Sequence, residues 1–202
     1  MCSPASMVLT KDRVFWSTKT DSHEEIIREF KLRESDGRAR VFVLRVEITP
    51  PGGDYSKPLG DWRYKTDQNG YTLPGWHDKE RDERRTRDAL KKWAKARLVL
   101  PGEHRTVNGD AHVYLLENSR AVLRENSRAV LRGNSSAKLW ENSSAVLRGN
   151  SSAVLRGNSR ADLWENSSIT TFGKGHDIEL HEGGIEIYRP DYGKAPVVYC
   201  AQ

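Results

Sequence analysis

Three groups of side chains in this 202-residue chain have the types that could do chemistry: His23 with Asp21, Glu24 and Glu25, His77 with Asp78, and Cys2 directly behind Met1. Removal of Met1 would leave Cys2 as an N-terminal nucleophile whose own amine could act as base. Two histidines with carboxylates could form a metal or acid–base site if the two segments met in space. Their spacing does not require a meeting, and acidic residues at a helix start are ordinary capping. His23, Glu24, His77 and Cys2 are therefore candidates without a motif behind them. The chain has no phosphate-cradling glycine loop and no nucleophile elbow, and its two cysteines, Cys2 and Cys200, give neither a disulfide framework nor zinc spacing. No metal and no cofactor are expected.

The other residues with functional potential lie in a repeat. From Glu117 to Phe172 the chain reads ENSRAVLR ENSRAVLR GNSSAKLW ENSSAVLR GNSSAVLR GNSRADLW ENSSITTF, with looser units before and after. Arg124, Arg132, Arg148 and Arg156 share the eighth position with Trp140 and Trp164, while Arg120, Arg128 and Arg160 hold the fourth. These nine residues are the candidate binding surface, suited to phosphate or to an acidic protein. Solvated charge that keeps short strands soluble is the competing reading.

An eight-residue unit is too short to fold alone, so neighbours must stack as a solenoid. Ser, Ala and Leu at positions three, five and seven alternate with polar or variable residues, the period of a half-buried strand. The Gly/Glu-Asn pairs then fall at corners, where stacked Asn amides can satisfy one another. Asn is expected to face inward with Ser, Ala and Leu.

Trp140 and Trp164 stand three units apart, with Leu116 and Tyr188 continuing the series, and Lys138 and Asp162 mark position six at the same separation. This favours a three-sided β-helix with eight residues per side and 24 per turn, about 3 turns and roughly 16 Å tall. Two units per turn, with the longer period a relic of duplication, is the alternative. In the triangular frame Arg124 stacks on Arg148 and Arg132 on Arg156, a repulsion that an anion could relieve.

Ahead of the repeat, the spacing predicts a strand at Val14–Trp16 and a helix over His23–Phe30 capped by Asp21 or Ser22. A strand over Arg40–Thr49, a short strand around Trp62–Lys65, a turn at Asp67–Gly70 and a charged helix over Asp78–Arg97 follow. The organisation expected is an α+β head over 1–100 capping the solenoid, a β-solenoid over 101–188, and a C-terminal cap with an edge strand over 189–202.

Composition bounds the partner. The chain carries a formal charge of +5, a pI of about 9.2 and 36% apolar residues. Lys and Arg outnumber Asp and Glu by 21 to 16 in residues 1–100 and by 8 to 5 in 117–172, and are outnumbered 3 to 5 from Gly173 onward. That permits nucleic acid without announcing it. Lacking an apolar run long enough for a signal or membrane span, the sequence points to the cytoplasm and to no membrane partner.

The segments MCSPASMVLT, DSHEEIIREF, RVEITPPGGDY, WRYKTDQ and LPGWHDKE resemble uncharacterised proteins of bacteriophages and bacteria that carry a compact head followed by short tandem repeats. The resemblance implies an origin on mobile DNA, and a role in host takeover or in countering host defence; it brings no catalytic residues. The shaft is also similar to pentapeptide-repeat proteins, but its period of eight and basic charge oppose DNA mimicry. The leading expectation is a non-enzymatic protein that binds a host protein or nucleic acid. The alternatives are a small enzyme or nucleotide-binding head on a dimerising shaft, and a structural homo-oligomer.

Overall fold

In the computed structural model the chain divides into two compact units, Met1–Ala96 and Arg97–Gln202. The structure describes residues 5–36, 41–68, 70, 72–172, 176–189 and 195–201.

The first unit is built on a four-stranded sheet. β1 (Ser6–Leu9) lies between β2 (Val14–Phe15) and β3 (Leu44–Thr49), and β4 (Arg63–Thr66) flanks β3, all antiparallel. β1 was not foreseen, because its four residues Ser-Met-Val-Leu are all buried and show no alternation. β3 is likewise buried from Leu44 to Ile48, and the Arg40 start expected for it lies outside the described residues. Helix α1 (His23–Glu29) begins where Ser22 accepts a hydrogen bond from the Glu25 N–H, and it buries His23, Ile26 and Ile27. Helix α2 (Lys79–Arg97) starts after Asp78, whose carboxylate accepts from the Arg81 N–H at 2.8 Å. Its inner stripe includes Leu90 and Trp93, and Trp93 meets Trp62 edge-on at 6.0 Å.

The second unit is a β-solenoid with two sheets. One contains, in order, β17 (Val197–Cys200), β16 (Ile185–Arg189), β14 (Ser168–Phe172), β12 (Ser152–Leu155), β10 (Ser136–Leu139), β8 (Arg120–Leu123) and β6 (His104–Val107). The other contains β15 (Asp177–Leu180), β13 (Arg160–Leu163), β11 (Ser144–Leu147), β9 (Arg128–Leu131), β7 (His112–Leu115) and β5 (Leu98–Val99). All pairings are parallel except that of β17 with β16. Leu98 and Val99 form the first rung of the six-stranded sheet.

The register corrects the expected turn. Ala121 pairs with Ala137 and Ala137 with Ala153, while Ala129 pairs with Ala145 and Ala145 with Ala161. One turn is thus two octads, 16 residues, and the three-sided, 24-residue turn is not formed. Two sheets lay the Ala and Leu of one against those of the other in a single apolar cluster running from Val99 to Ile169. Six leucines from Leu123 to Leu163 are fully buried, each contributing about 1.5–3 kcal/mol. Six rungs in the shorter sheet span about 24 Å between the first and last strand.

The corners hold the second correction. The asparagines face outward; the buried corner residue is serine, from Ser119 to Ser167. At the corners of Ser119, Ser127, Ser135, Ser143 and Ser167 the serine N–H bonds the carbonyl of the eighth residue, as in Ser143 to Trp140. The expected amide ladder is present, with Asn166 Nδ2 donating to Asn150 Oδ1 and Asn150 Nδ2 to Asn134 Oδ1. The first corner residue has positive φ, at Gly133, Gly149 and Gly157, but also at Glu125, Glu141 and Glu165. A glutamate there is strained. Its carboxylate compensates by accepting a backbone N–H one turn earlier: Glu125 from Gly109, Glu141 from Glu125 and Glu165 from Gly149, at 2.6–3.0 Å.

Candidate functional site

Among the described residues, the head places His77, Glu24 and His23 in separate interactions. His77 Nδ1 lies 2.9 Å from Asp82, a fully buried carboxylate that also accepts from the Asp78 N–H, Arg81 and Arg85. Burial alone would raise the Asp82 carboxyl, but the bonds from Arg81, the Asp78 backbone and His77 hold it below the usual carboxylate range. Arg85 continues to the Thr10 carbonyl at 3.2 Å. His77 therefore belongs to a structural knot that fastens α2 to the strand region. Burial and then the Asp82 and Glu83 charges push the Tyr64 hydroxyl up to about 12, so it stays protonated at neutral pH. Glu24 faces the guanidinium of Arg45, at 3.5 Å, and Cys2 lies outside the described residues.

His23 has a different setting. As the first residue of α1 it is buried, and its Nε2 lies 2.9 Å from the Val46 carbonyl. Since a carbonyl only accepts, the Nε2–H donates to it, and Nδ1 faces Asp67 Oδ2, 3.5 Å away. Buried Glu47 of β3 completes a group in which one donor atom from each residue lies within 4.8 Å of the others. Neither Glu47 nor Asp67 was foreseen. The only signal in the sequence is the turn after β4, whose pairing with β3 places Lys65 opposite Glu47 and so brings Asp67 back beside it.

On the solenoid the nine predicted binding residues separate onto four sides. The 16-residue turn threads position eight into two edge columns. One runs Arg124, Trp140, Arg156, Phe172 and Arg189; the other runs Arg132, Arg148, Trp164 and His181. Base and aromatic alternate in the first column, while Arg132 and Arg148 are neighbours in the second; the expected stacks of Arg124 on Arg148 and Arg132 on Arg156 do not occur. The Arg156 guanidinium sits 5.1 Å from the Trp140 centroid and 4.9 Å from that of Phe172. Trp164 lies between Arg148, at 5.5 Å, and His181, stacked at 3.6 Å. The ring faces are used within the column, which makes Trp140 and Trp164 supports of the shaft first.

The fourth and sixth positions form two unlike faces. On the six-stranded sheet Arg128 and Arg160 share the surface with Asp162, Asp177 and Glu179, and Arg160 Nε lies 2.8 Å from Asp177. Burial, then the neighbouring Glu179 charge, pushes the Asp162 carboxyl up. The seven-stranded sheet presents His104, Arg120, Ser136, Ser152 and Ser168 in one row, and Thr106, Val122, Lys138, Val154 and Thr170 in the next. A concavity of about 320 Å³ spans these rungs, and its lining contains His104, Arg120 and Lys138 with four hydroxyl side chains and no carboxylate. Sequence reading singled out Arg120 and Lys138 as outward residues but missed His104 and the serines, and did not bring the two cations together, because their common face follows from the 16-residue turn.

Set against known proteins, the chain matches no family profile, no curated protein and no solved structure. These comparisons supply no link to the phage and bacterial proteins that the head segments resemble. Among the described residues, no helix is long and apolar enough to cross a membrane.

Proposed function

We propose that this chain is a non-enzymatic binding protein that holds the phosphate backbone of nucleic acid along the face made by β6, β8, β10, β12 and β14. The carrying observation is the carboxylate-free lining of that face, where His104, Arg120 and Lys138 stand among Ser136, Ser152, Ser168 and Thr170. Lys and Arg neutralise phosphate and release counterions, and serine and threonine hydroxyls donate to phosphate oxygens without reading bases. A parallel sheet fixed at every rung holds these groups in place before binding, which limits the entropy lost on association. The opposite face, with Asp162, Asp177 and Glu179, repels the same ligand and so directs it to one side.

The reading predicts sequence-independent binding that weakens with salt. Fluorescence anisotropy with labelled single- and double-stranded oligonucleotides should show affinity at low ionic strength. Arg120→Ala with Lys138→Ala should lower it and reduce the slope of log K against log salt by about 2. Arg128→Ala with Arg160→Ala, on the other face, should leave it nearly unchanged. Absence of binding at low salt, or equal loss from both pairs, would overturn the assignment; capture of an acidic protein by the same face, with no oligonucleotide binding, would replace it.

A further inference from the structure

The head carries a second site, independent of the nucleic-acid reading. We propose that His23, Glu47 and Asp67 bind a divalent first-row cation of the Zn²⁺ or Mn²⁺ type.

The donor set is one imidazole nitrogen and two carboxylates, a combination suited to borderline divalent ions. The histidine is oriented as metal-ligating histidines are: the Nε2–H is committed to a backbone carbonyl, Val46, so the lone pair of Nδ1 is directed toward Asp67. With Nδ1 unprotonated, it and the Asp67 carboxylate are both acceptors, and a shared divalent cation can bridge them in place of the proton that otherwise joins them. The three donor atoms lie within 4.8 Å of one another. A cation at about 2.0–2.2 Å from each draws tetrahedral ligands to roughly 3.5 Å, a closure of about 1 Å that side-chain rotation supplies.

The surrounding backbone holds all three donors. His23 is fixed by the start of α1, and Glu47 lies inside β3 between β1 and β4. Asp67 is tied down by its own N–H to the Arg45 carbonyl at 2.9 Å, while Gln68 accepts from the Arg45 N–H and donates to the Val43 carbonyl. The His23 side chain is 1% exposed and that of Asp67 is 16% exposed, so one side of the group opens to solvent and could keep an exchangeable ligand. A competing cation among the described residues is Lys65, which stands opposite Glu47 and has its Nζ 4.0 Å from Asp67 Oδ1. With 68% of its side chain exposed, it can turn outward when an ion enters. Nearby Arg45 is engaged by Glu24 and Glu34.

The test is calorimetric titration of the full chain, washed with chelator, with Zn²⁺ and with Ca²⁺ as a hard-cation comparison. One equivalent of Zn²⁺ should bind and raise Tm, with Ca²⁺ at least tenfold weaker. Asp67→Asn and Glu47→Gln should each lower Zn²⁺ affinity tenfold or more, while His181→Ala, at a surface histidine beside Glu179, should not. X-ray absorption of the Zn²⁺-loaded unsubstituted chain should show one imidazole with oxygen ligands, a readout that does not depend on how the variants fold. No binding, affinity unchanged in both carboxylate variants, or a ligand shell of several imidazoles would each overturn the proposal.

Discussion

Arg156 and Trp140 stack on neighbouring turns of one edge column, with the guanidinium carbon 5.1 Å from the indole centroid. Because Phe172 takes the other side of the same guanidinium at 4.9 Å, one arginine joins two rungs to its own. Cation–π contacts at exposed sites contribute about 0.5–1 kcal/mol each. Arg156→Ala should therefore lower unfolding stability in urea by about 1–2 kcal/mol. Arg124→Ala, at an end of the column, should cost less, and equal losses at the two positions would show that the sandwich adds nothing.

Asp82 gives the head an acid limit. Its folded pKa lies below the ordinary 3.8, so its stabilising contribution is present above that value and is lost as pH falls through the folded pKa. Removing the acceptor leaves the half-buried donors of His77, Arg81 and Arg85 without it, and Asp82→Ala should cost roughly 2–3 kcal/mol, below the figure for a wholly buried pair because these donors reach solvent. Thermal melts from pH 7 to pH 2 should show the unsubstituted chain losing stability below about pH 4, with a shallower loss in the variant.

Asp162 is the opposite case. Its pKa is raised by burial and by Glu179, which is its register partner on β15. Stability from this group is fully present below 3.8 and is lost as pH rises through the higher folded value. Asp162→Val restores the residue found at the sixth position in Val122, Val130, Val146 and Val154. It should raise Tm at pH 7, by about 0.5–1 kcal/mol of stability, and the gain should shrink in acid.

The corner glutamates can be separated into strain and compensation. Glu141 holds φ 59° and accepts the Glu125 N–H at 2.7 Å. Glu141→Ala removes the bond and keeps the strain, whereas Glu141→Gly removes both. Denaturation should rank the unsubstituted chain first and alanine last, with alanine about 1 kcal/mol or more below glycine. Alanine equal to glycine would mean that the positive φ carries no cost here.

Much of this fold was legible because its physics is local. The octad fixed the strands through Ala and Leu alternation, and the Ser22 cap and the apolar stripe of α2 placed both helices within a residue or so. What was illegible depended on pairing. Whether Trp140 lies over Trp164 or beside Arg156 is set by how far the chain runs before it returns, and the 24-residue spacing of the tryptophans concealed a 16-residue coil. For the same reason Glu47 and Asp67 gave no warning. They are 20 residues apart in sequence and become neighbours through the β3–β4 register. Arg120 and Lys138 share a face only because Ser136 pairs with Arg120.

The two-octad turn also makes the coil sensitive to parity. Gain or loss of a single octad would send every later unit to the opposite sheet, placing acidic Asp162 on the basic side and exchanging the two aromatic columns. A pair of octads would lengthen the shaft while preserving every column. Heritable growth of such a protein is therefore expected in steps of 16 residues, and a chain engineered by one octad should keep its fold yet scramble its charge pattern.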